Sequence, residues 1–86
     1  MLNSIVEAIF YHAGYQPDKL CLADDYTSVT YREFTQIIAR FASLFSKLGI
    51  AENDRVVVES CQTIDYLAIQ ASLHLLGAVF VPVEHN

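Results

Sequence analysis

The side chains able to do acid–base, metal or thiol chemistry are dispersed along this 86-residue sequence. His12, His74 and His85 stand too far apart to form an evident metal site with Cys21 or Cys61. The two cysteines lack metal-ligand spacing and the C-x-x-C spacing of a redox site. We therefore expect both to be buried, reduced thiols.

Each histidine also has a plain structural interpretation. His12 falls on the polar side of a helical pattern, where we expect a solvated ring. His74 is expected to be a satisfied or half-exposed helix residue. His85 follows an apolar strand, and ligands of α/β sheets bind at strand ends. A ligand-facing role therefore stays open for His85, beside the commoner role of a solvated tail residue.

The acidic residues and glycines add no catalytic pattern. Asp24 and Asp25 form an acidic turn, while Glu59 and Asp65 are explained by a strand end and a helix start. The sequence contains no G-x-x-x-x-G-K-[ST] loop, no G-x-G-x-x-G loop and no G-x-S-x-G elbow. We predict no catalytic, cofactor-binding or metal-binding residue in this chain.

Composition narrows the class of protein and its partners. Hydrophobic residues make up 53% and charged residues 17%, a balance opposite to that of disordered chains. The net charge of −5 argues against nucleic acid and anionic membranes, which need a basic face. The start lacks a cationic signal-peptide region, and the longest apolar run, residues 75–83, is too short to span a bilayer. We predict a cytoplasmic protein without a membrane span.

The first half of the sequence predicts two helices around a hairpin. Ser4 and Glu7 fit a capping box for a helix over residues 4–13 that Gly14 ends. Extended segments around residues 20–23 and 28–30 predict the hairpin. Thr30 and Glu33 form a second capping box, opening a helix that runs to about residue 48. One broad apolar stripe follows this helix: Phe34, Ile37, Ile38, Phe41, Leu44, Phe45 and Leu48.

The second half alternates strand, helix and strand. Residues 55–59 and 78–83 are rich in valine and predict strands covered on both faces. Thr63 caps the helix between them, which has few polar residues and is expected to be buried nearly all round. We predict an α/β fold: a βαβαβ-type parallel sheet with flanking helices and a small N-terminal helix plus hairpin. Residues 1–86 would be one partial domain, because covering the last strand requires more chain.

Four short motifs follow one another at fixed intervals: VTYREF at 29–34, LGI at 48–50, NDRV at 53–56 and GAVFVPV at 77–83. This series resembles the N-terminal part of AMP-forming adenylating enzymes, which include acyl-CoA synthetases, luciferases and peptide-synthetase adenylation domains. Four departures leave the subfamily open. Asn53 stands at a usual Gly, Gln62 at a usual Asn, Asp65 at a common Glu and His85 at a frequent Pro.

The resemblance implies that a parent enzyme activates a carboxylate with ATP and passes the acyl group to a thiol. ATP, Mg²⁺ and CoA or phosphopantetheine would be its cofactors. The family's phosphate loop, most of its acyl pocket and its catalytic lysine lie beyond the last residue here. The resemblance therefore implies a scaffold segment, inactive alone, whose partner is the remainder of the enzyme. The coding sequence after Asn86 should then encode a loop rich in Ser, Thr and Gly that ends in Lys.

Two other interpretations stay open. The chain could be a free-standing α/β interaction module without catalysis, or, with least support, a thiol-redox protein based on Cys21 and Cys61. We also expect the isolated chain to form a dimer or higher oligomer through its C-terminal strand or third helix. Both elements are too apolar to face water alone.

Overall fold

The computed structural model describes residues 5–61 and 63–84, which form helices and short strands in alternation. The described elements are α1 (Ile5–Tyr15), β1 (Leu20–Ala23), β2 (Ser28–Thr30), α2 (Tyr31–Lys47), β3 (Arg55–Glu59), α3 (Ile64–Leu75) and β4 (Val79–Val83). The α/β class and the order of elements agree with the prediction from sequence.

The strands form two separate pairs in the described part of the chain. β1 and β2 are the antiparallel hairpin, with a register shift between Leu20 and Leu22. β3 and β4 are parallel, from Arg55 opposite Val79 to Glu59 opposite Val83, and α3 connects them. The parallel sheet predicted from the sequence is thus one βαβ unit with two strands here.

The capping box at the start of α2 is confirmed. The Thr30 hydroxyl accepts a hydrogen bond from the Glu33 N–H at 3.2 Å, and the Glu33 carboxylate accepts one from the Thr30 N–H at 2.9 Å. Two N–H groups that the helix leaves without partners are satisfied in this way. Val29 and Phe34 flank the box and are buried in the same cluster, as expected for a hydrophobic staple.

The core lies where α2 packs against α3. Phe34 and Ile38 of α2 are 1% and 0% exposed, and Ala68 and Ala71 of α3 lie in the same buried cluster. Small side chains on α3 let the two helices approach closely enough to enclose these larger residues. Val6 adds the contribution of α1 to this core.

The end of α1 differs from the prediction. The helix does not stop before Gly14 but continues to Tyr15, and the N–H of Gln16 still donates to the carbonyl of His12 at 2.6 Å. Gly14 therefore serves as an ordinary helical residue and not as a terminator. Ser4, the proposed cap, lies outside the described residues.

The predicted burial of the apolar patterns is wrong in several places. α3 is buried along one face only, and Leu67 and Leu75 are 41% and 49% exposed. In the α2 stripe, Leu44 and Leu48 are 49% and 69% exposed, because α1 and α3 cover only its first half. The strands are also open on one face, where Val57 is 64% exposed. The described chain supplies no second layer for these surfaces.

Among residues 5–61 and 63–84, no helix combines the length and apolar character needed to cross a membrane. The cytoplasmic location stays a prediction.

Candidate functional site

An apolar groove with a volume of about 510 Å³ opens between α1, α3 and β4. Ile9, Leu67 and Phe80 contribute apolar side chains to its walls, and Gln70 and His74 are its polar members. Two polar groups among aliphatic and aromatic side chains can orient a ligand or a packed segment. They do not provide the convergent acid, base and nucleophile that a catalytic site requires.

A second apolar surface lies on the parallel strand pair, on the face opposite Phe80. Side chains of register partners share one face of a sheet, so Val57 lies beside Val81, with Val79 and Val83 on the same side. Val57, Val79 and Val83 are 64%, 45% and 42% exposed. We call these four residues the valine face. It offers contact area but no group able to do chemistry.

A smaller hollow of about 450 Å³ collects the polar residues between the hairpin turn and the start of α3. Cys61 lines it together with Asp24, Asp25 and Tyr66. A reactive thiolate is usually stabilised by a nearby cation. The described residues lining this hollow include no Lys, Arg or His. The arrangement gives no support to a thiol-redox function.

Asp24 connects the hairpin turn to α3, a contact that the sequence analysis missed. Its Oδ1 accepts hydrogen bonds from the N–H groups of Tyr26 and Thr27, at 2.8 and 2.9 Å, and its Oδ2 accepts one from the N–H of Ile64 at 3.2 Å. These bonds, from Tyr26 first, then Thr27 and Ile64, lower the pKa of the Asp24 carboxyl. The turn was predictable from the Asp-Asp pair, whereas a partner forty residues away had no sequence signal.

The other candidate residues do not come together. His12 is half-buried, and its Nδ1 is enclosed without a hydrogen-bond partner among the described residues, so the predicted solvated ring is wrong. His74 is exposed at the groove, and His85 lies outside the described residues. Cys21 is half-buried, and burial raises the pKa of its thiol. Cys61 is exposed, so the expectation of two buried thiols is wrong for that residue.

The described residues do not fit a site for a nucleoside triphosphate or a metal. Phosphates bind to backbone N–H groups at helix starts or in glycine-rich loops. Here the first-turn N–H groups of Glu33, Ile64 and Tyr66 already donate to side chains of the chain itself. Gly49 and Gly77 each follow the end of a helix and do not cluster. No group of three His, Cys, Asp or Glu side chains in the described ranges could hold a metal ion.

Comparison with known proteins decides what kind of chain this is. The model of a family described as AMP-binding enzyme matches residues 9–86. The chain belongs to this AMP-binding enzyme family. Among curated relatives, it is similar to an acetyl-coenzyme A synthetase of Methylobacillus flagellatus, with 30% identity over 83 residues, 91% of this chain and 13% of that protein. It is 22% identical over 78 residues to an L-proline–[L-prolyl-carrier protein] ligase of Pseudomonas fluorescens, which covers 91% of this chain and 16% of the ligase.

Solved structures share the fold of this chain. The N-terminal subdomain of Klebsiella oxytoca NpsA matches 99% of the chain with a TM-score of 0.87 and 24% identity. The chain corresponds to 22% of that subdomain. It spans between 4% and 16% of the length of the curated relatives that it matches.

Proposed function

We propose that this chain is a scaffold segment of an ATP-dependent ligase that joins a carboxylic acid to a thiol. In the proposed reaction, the carboxylate attacks the α-phosphorus of ATP to form an acyl-adenylate and release pyrophosphate. The thiol then attacks the acyl carbon and displaces AMP. The observation that carries this proposal is the family match over residues 9–86, with the matching fold.

The thiol acceptor is CoA or the phosphopantetheine of a carrier protein. One relative is named for coenzyme A and another for a carrier protein, so the names support both. The motifs of this segment give no preference, because Thr30, Glu33 and Asn53 serve helix capping and turn geometry. The acceptor and the acid are thus properties of the rest of the enzyme.

The scaffold role is supported by the two apolar surfaces that the described chain leaves open. The groove and the valine face both lie on the βαβ unit or beside it, where further layers of an α/β domain would pack. We propose that later segments of the parent enzyme cover both surfaces. In this arrangement the segment contributes hydrophobic contact and shape to the domain and no reacting group.

The proposal is tested by asking what the 86-residue chain does alone. We expect isothermal titration with ATP and Mg²⁺ to give no measurable heat of binding. ATP–pyrophosphate exchange should stay at background with acetate and with L-proline, the acids named in the two relatives. An intact acetyl-CoA synthetase serves as the positive control for both assays. Micromolar ATP binding by the chain would contradict the scaffold role.

A free-standing interaction module is the second candidate, and the same open surfaces favour it if nothing covers them. The coding sequence downstream separates the two. A Ser-, Thr- and Gly-rich loop ending in Lys shortly after Asn86 supports the ligase. A stop codon at that point in the genome and transcript supports the module.

A further inference from the structure

The carboxylate of Asp24 contacts two segments that lie far apart in the sequence. Its Oδ1 accepts hydrogen bonds from the N–H groups of Tyr26 and Thr27 inside the hairpin turn, at 2.8 and 2.9 Å. Its Oδ2 accepts one from the N–H of Ile64, the first residue of α3, at 3.2 Å. The two oxygens of one carboxylate therefore serve two different elements.

The hairpin turn depends on the backbone of Asp24 as well. The N–H of Asp24 donates to the carbonyl of Thr27 at 2.9 Å, which closes the turn between β1 and β2. Together with the two bonds to Oδ1, this backbone bond fixes the position of the side chain relative to the turn. A displaced turn would therefore carry the carboxylate away from α3.

The start of α3 has two caps of different origin. The hydroxyl of Thr63, the N-cap residue, accepts a hydrogen bond from the N–H of Tyr66 at 3.2 Å. The N–H of Ile64 is satisfied from outside the helix, by Asp24. Each cap satisfies one of the N–H groups that a helix leaves without partners in its first turn. The carboxylate of Asp24 also lies at the positive end of the helix dipole.

Apolar packing brings the two segments together on α2. The hairpin strands and α3 both pack against this helix. Val29 of β2 and Ile64 of α3 are 8% and 5% exposed and belong to one buried cluster. The helix α2 is thus the common support of both segments, and Asp24 joins the turn directly to α3.

We propose that the Asp24 carboxylate couples the hairpin turn to the start of α3, so that the two open and close as one unit. Such coupling is reciprocal, so each segment stabilises the other equally. Local openings of this kind determine how fast amide protons exchange with water. Every group involved belongs to the described residues, so the coupling applies to a ligase segment and to a free-standing module alike.

Amide exchange with water, measured by NMR, tests the coupling at amides whose own acceptors are left intact. Thr63→Ala removes the acceptor of Tyr66 and leaves Asp24 unchanged. We expect exchange at Tyr26 and Thr27, in the turn, to become about 5-fold faster, the factor for the loss of a typical helix cap. Asp24→Ala is the reciprocal change, and exchange at Tyr66 should rise although Thr63 is retained.

A double variant separates coupling through the carboxylate from coupling through packed side chains. The N–H of residue 24 is measured, because its acceptor, the carbonyl of Thr27, is retained in both backgrounds. In the native background, Thr63→Ala should speed exchange at this N–H. In the Asp24→Ala background, the same change should have no further effect. An equal effect in both backgrounds would overturn the assignment to the carboxylate.

Two controls separate a local opening from a general loss of stability. Thr35→Ala, the same substitution near the start of α2, should leave exchange in the hairpin turn close to wild type. The N–H of Ala51 donates to Oδ2 of Asp54 at 2.7 Å, so a different carboxylate closes that turn. Exchange at Ala51 should not respond to Thr63→Ala. The proposal is overturned if Ala51 responds as strongly as the hairpin turn, or if Thr63→Ala leaves the hairpin turn at its wild-type rates.

Discussion

Replacing Asn53 tests how strongly the turn before β3 limits the stability of this fold. Asn53 has a φ of 70°, in the left-handed region that side chains other than Asn and Asp rarely adopt. Its N–H donates to the carbonyl of Gly77 at 2.9 Å, which joins the approach to β3 to the approach to β4. The turn therefore has to keep this conformation for the parallel pair to form.

The expected change in the free energy of unfolding is the balance of two opposing contributions. A residue with an ordinary Cβ costs about 1–2 kcal/mol in the left-handed region. Glycine avoids that cost, but its greater conformational freedom in the unfolded chain lowers the stability of the fold by about 0.4–1 kcal/mol relative to alanine. We expect Asn53→Ala to be less stable than Asn53→Gly by about 1 kcal/mol, with the native asparagine at or near the glycine value. For a domain of this size, this difference lowers the melting temperature by about 4–8 °C.

The melting temperatures of wild type, Asn53→Gly and Asn53→Ala are measured by thermal unfolding followed by circular dichroism. All variants are compared at one low protein concentration, because dimerisation would make the melting temperature depend on concentration. Glu52→Ala, an exposed change in the same turn, is the control and should melt close to wild type. If Asn53→Ala matches or exceeds Asn53→Gly in melting temperature, the left-handed conformation is not what this position requires.

Two further predictions concern the core and the hairpin turn. Phe34→Ala removes a side chain that is 1% exposed and should cost about 3–5 kcal/mol, comparable to the whole stability of a small domain. The circular dichroism of this variant should show a largely unfolded chain. Phe41→Ala, at a half-buried ring, is the control and should retain a cooperative melt. Equal losses of stability in the two variants would contradict the assigned core. Asp24→Asn removes the anionic acceptor for the N–H of Ile64 and should lower the melting temperature at pH 7, whereas Asp25→Asn should not. The pKa of Asp24 is lowered in the fold, so the stability that its carboxylate adds is present above pH about 4 and is lost as the pH falls through the folded pKa. The difference in melting temperature between wild type and Asp24→Asn should therefore narrow in acid. A constant difference down to pH 2 would contradict this.

Local features of the fold were predictable from the sequence because short-range chemistry determines them. Thr30 and Glu33 satisfy each other's N–H groups within one turn, so their spacing is sufficient to place the start of α2. Thr63 places the start of α3 through its side chain alone, which accepts a hydrogen bond from the N–H of Tyr66. Asn53, at a position where the related enzymes usually have glycine, has the positive φ that this substitution suggested.

Burial was less predictable, because it depends on which layers are present. The apolar stripe of α2 predicts that a face is covered, but not that α1 and α3 reach only its first half. The bond from Ile64 to Asp24 could not be predicted either, because the turn residue and the helix start are brought together only by tertiary packing. The same holds for His12, whose ring becomes half-buried near Tyr31, at 5.3 Å between ring centroids.

The groove and the valine face differ in the groups that surround their apolar centres. Val57 stands between Arg55 and Glu59 on one side of β3, so charged side chains border the valine face. In the groove, Gln70 and His74 are the polar members and can orient a segment that packs there. Both surfaces therefore suit a packed layer of a larger α/β domain better than exposure to water.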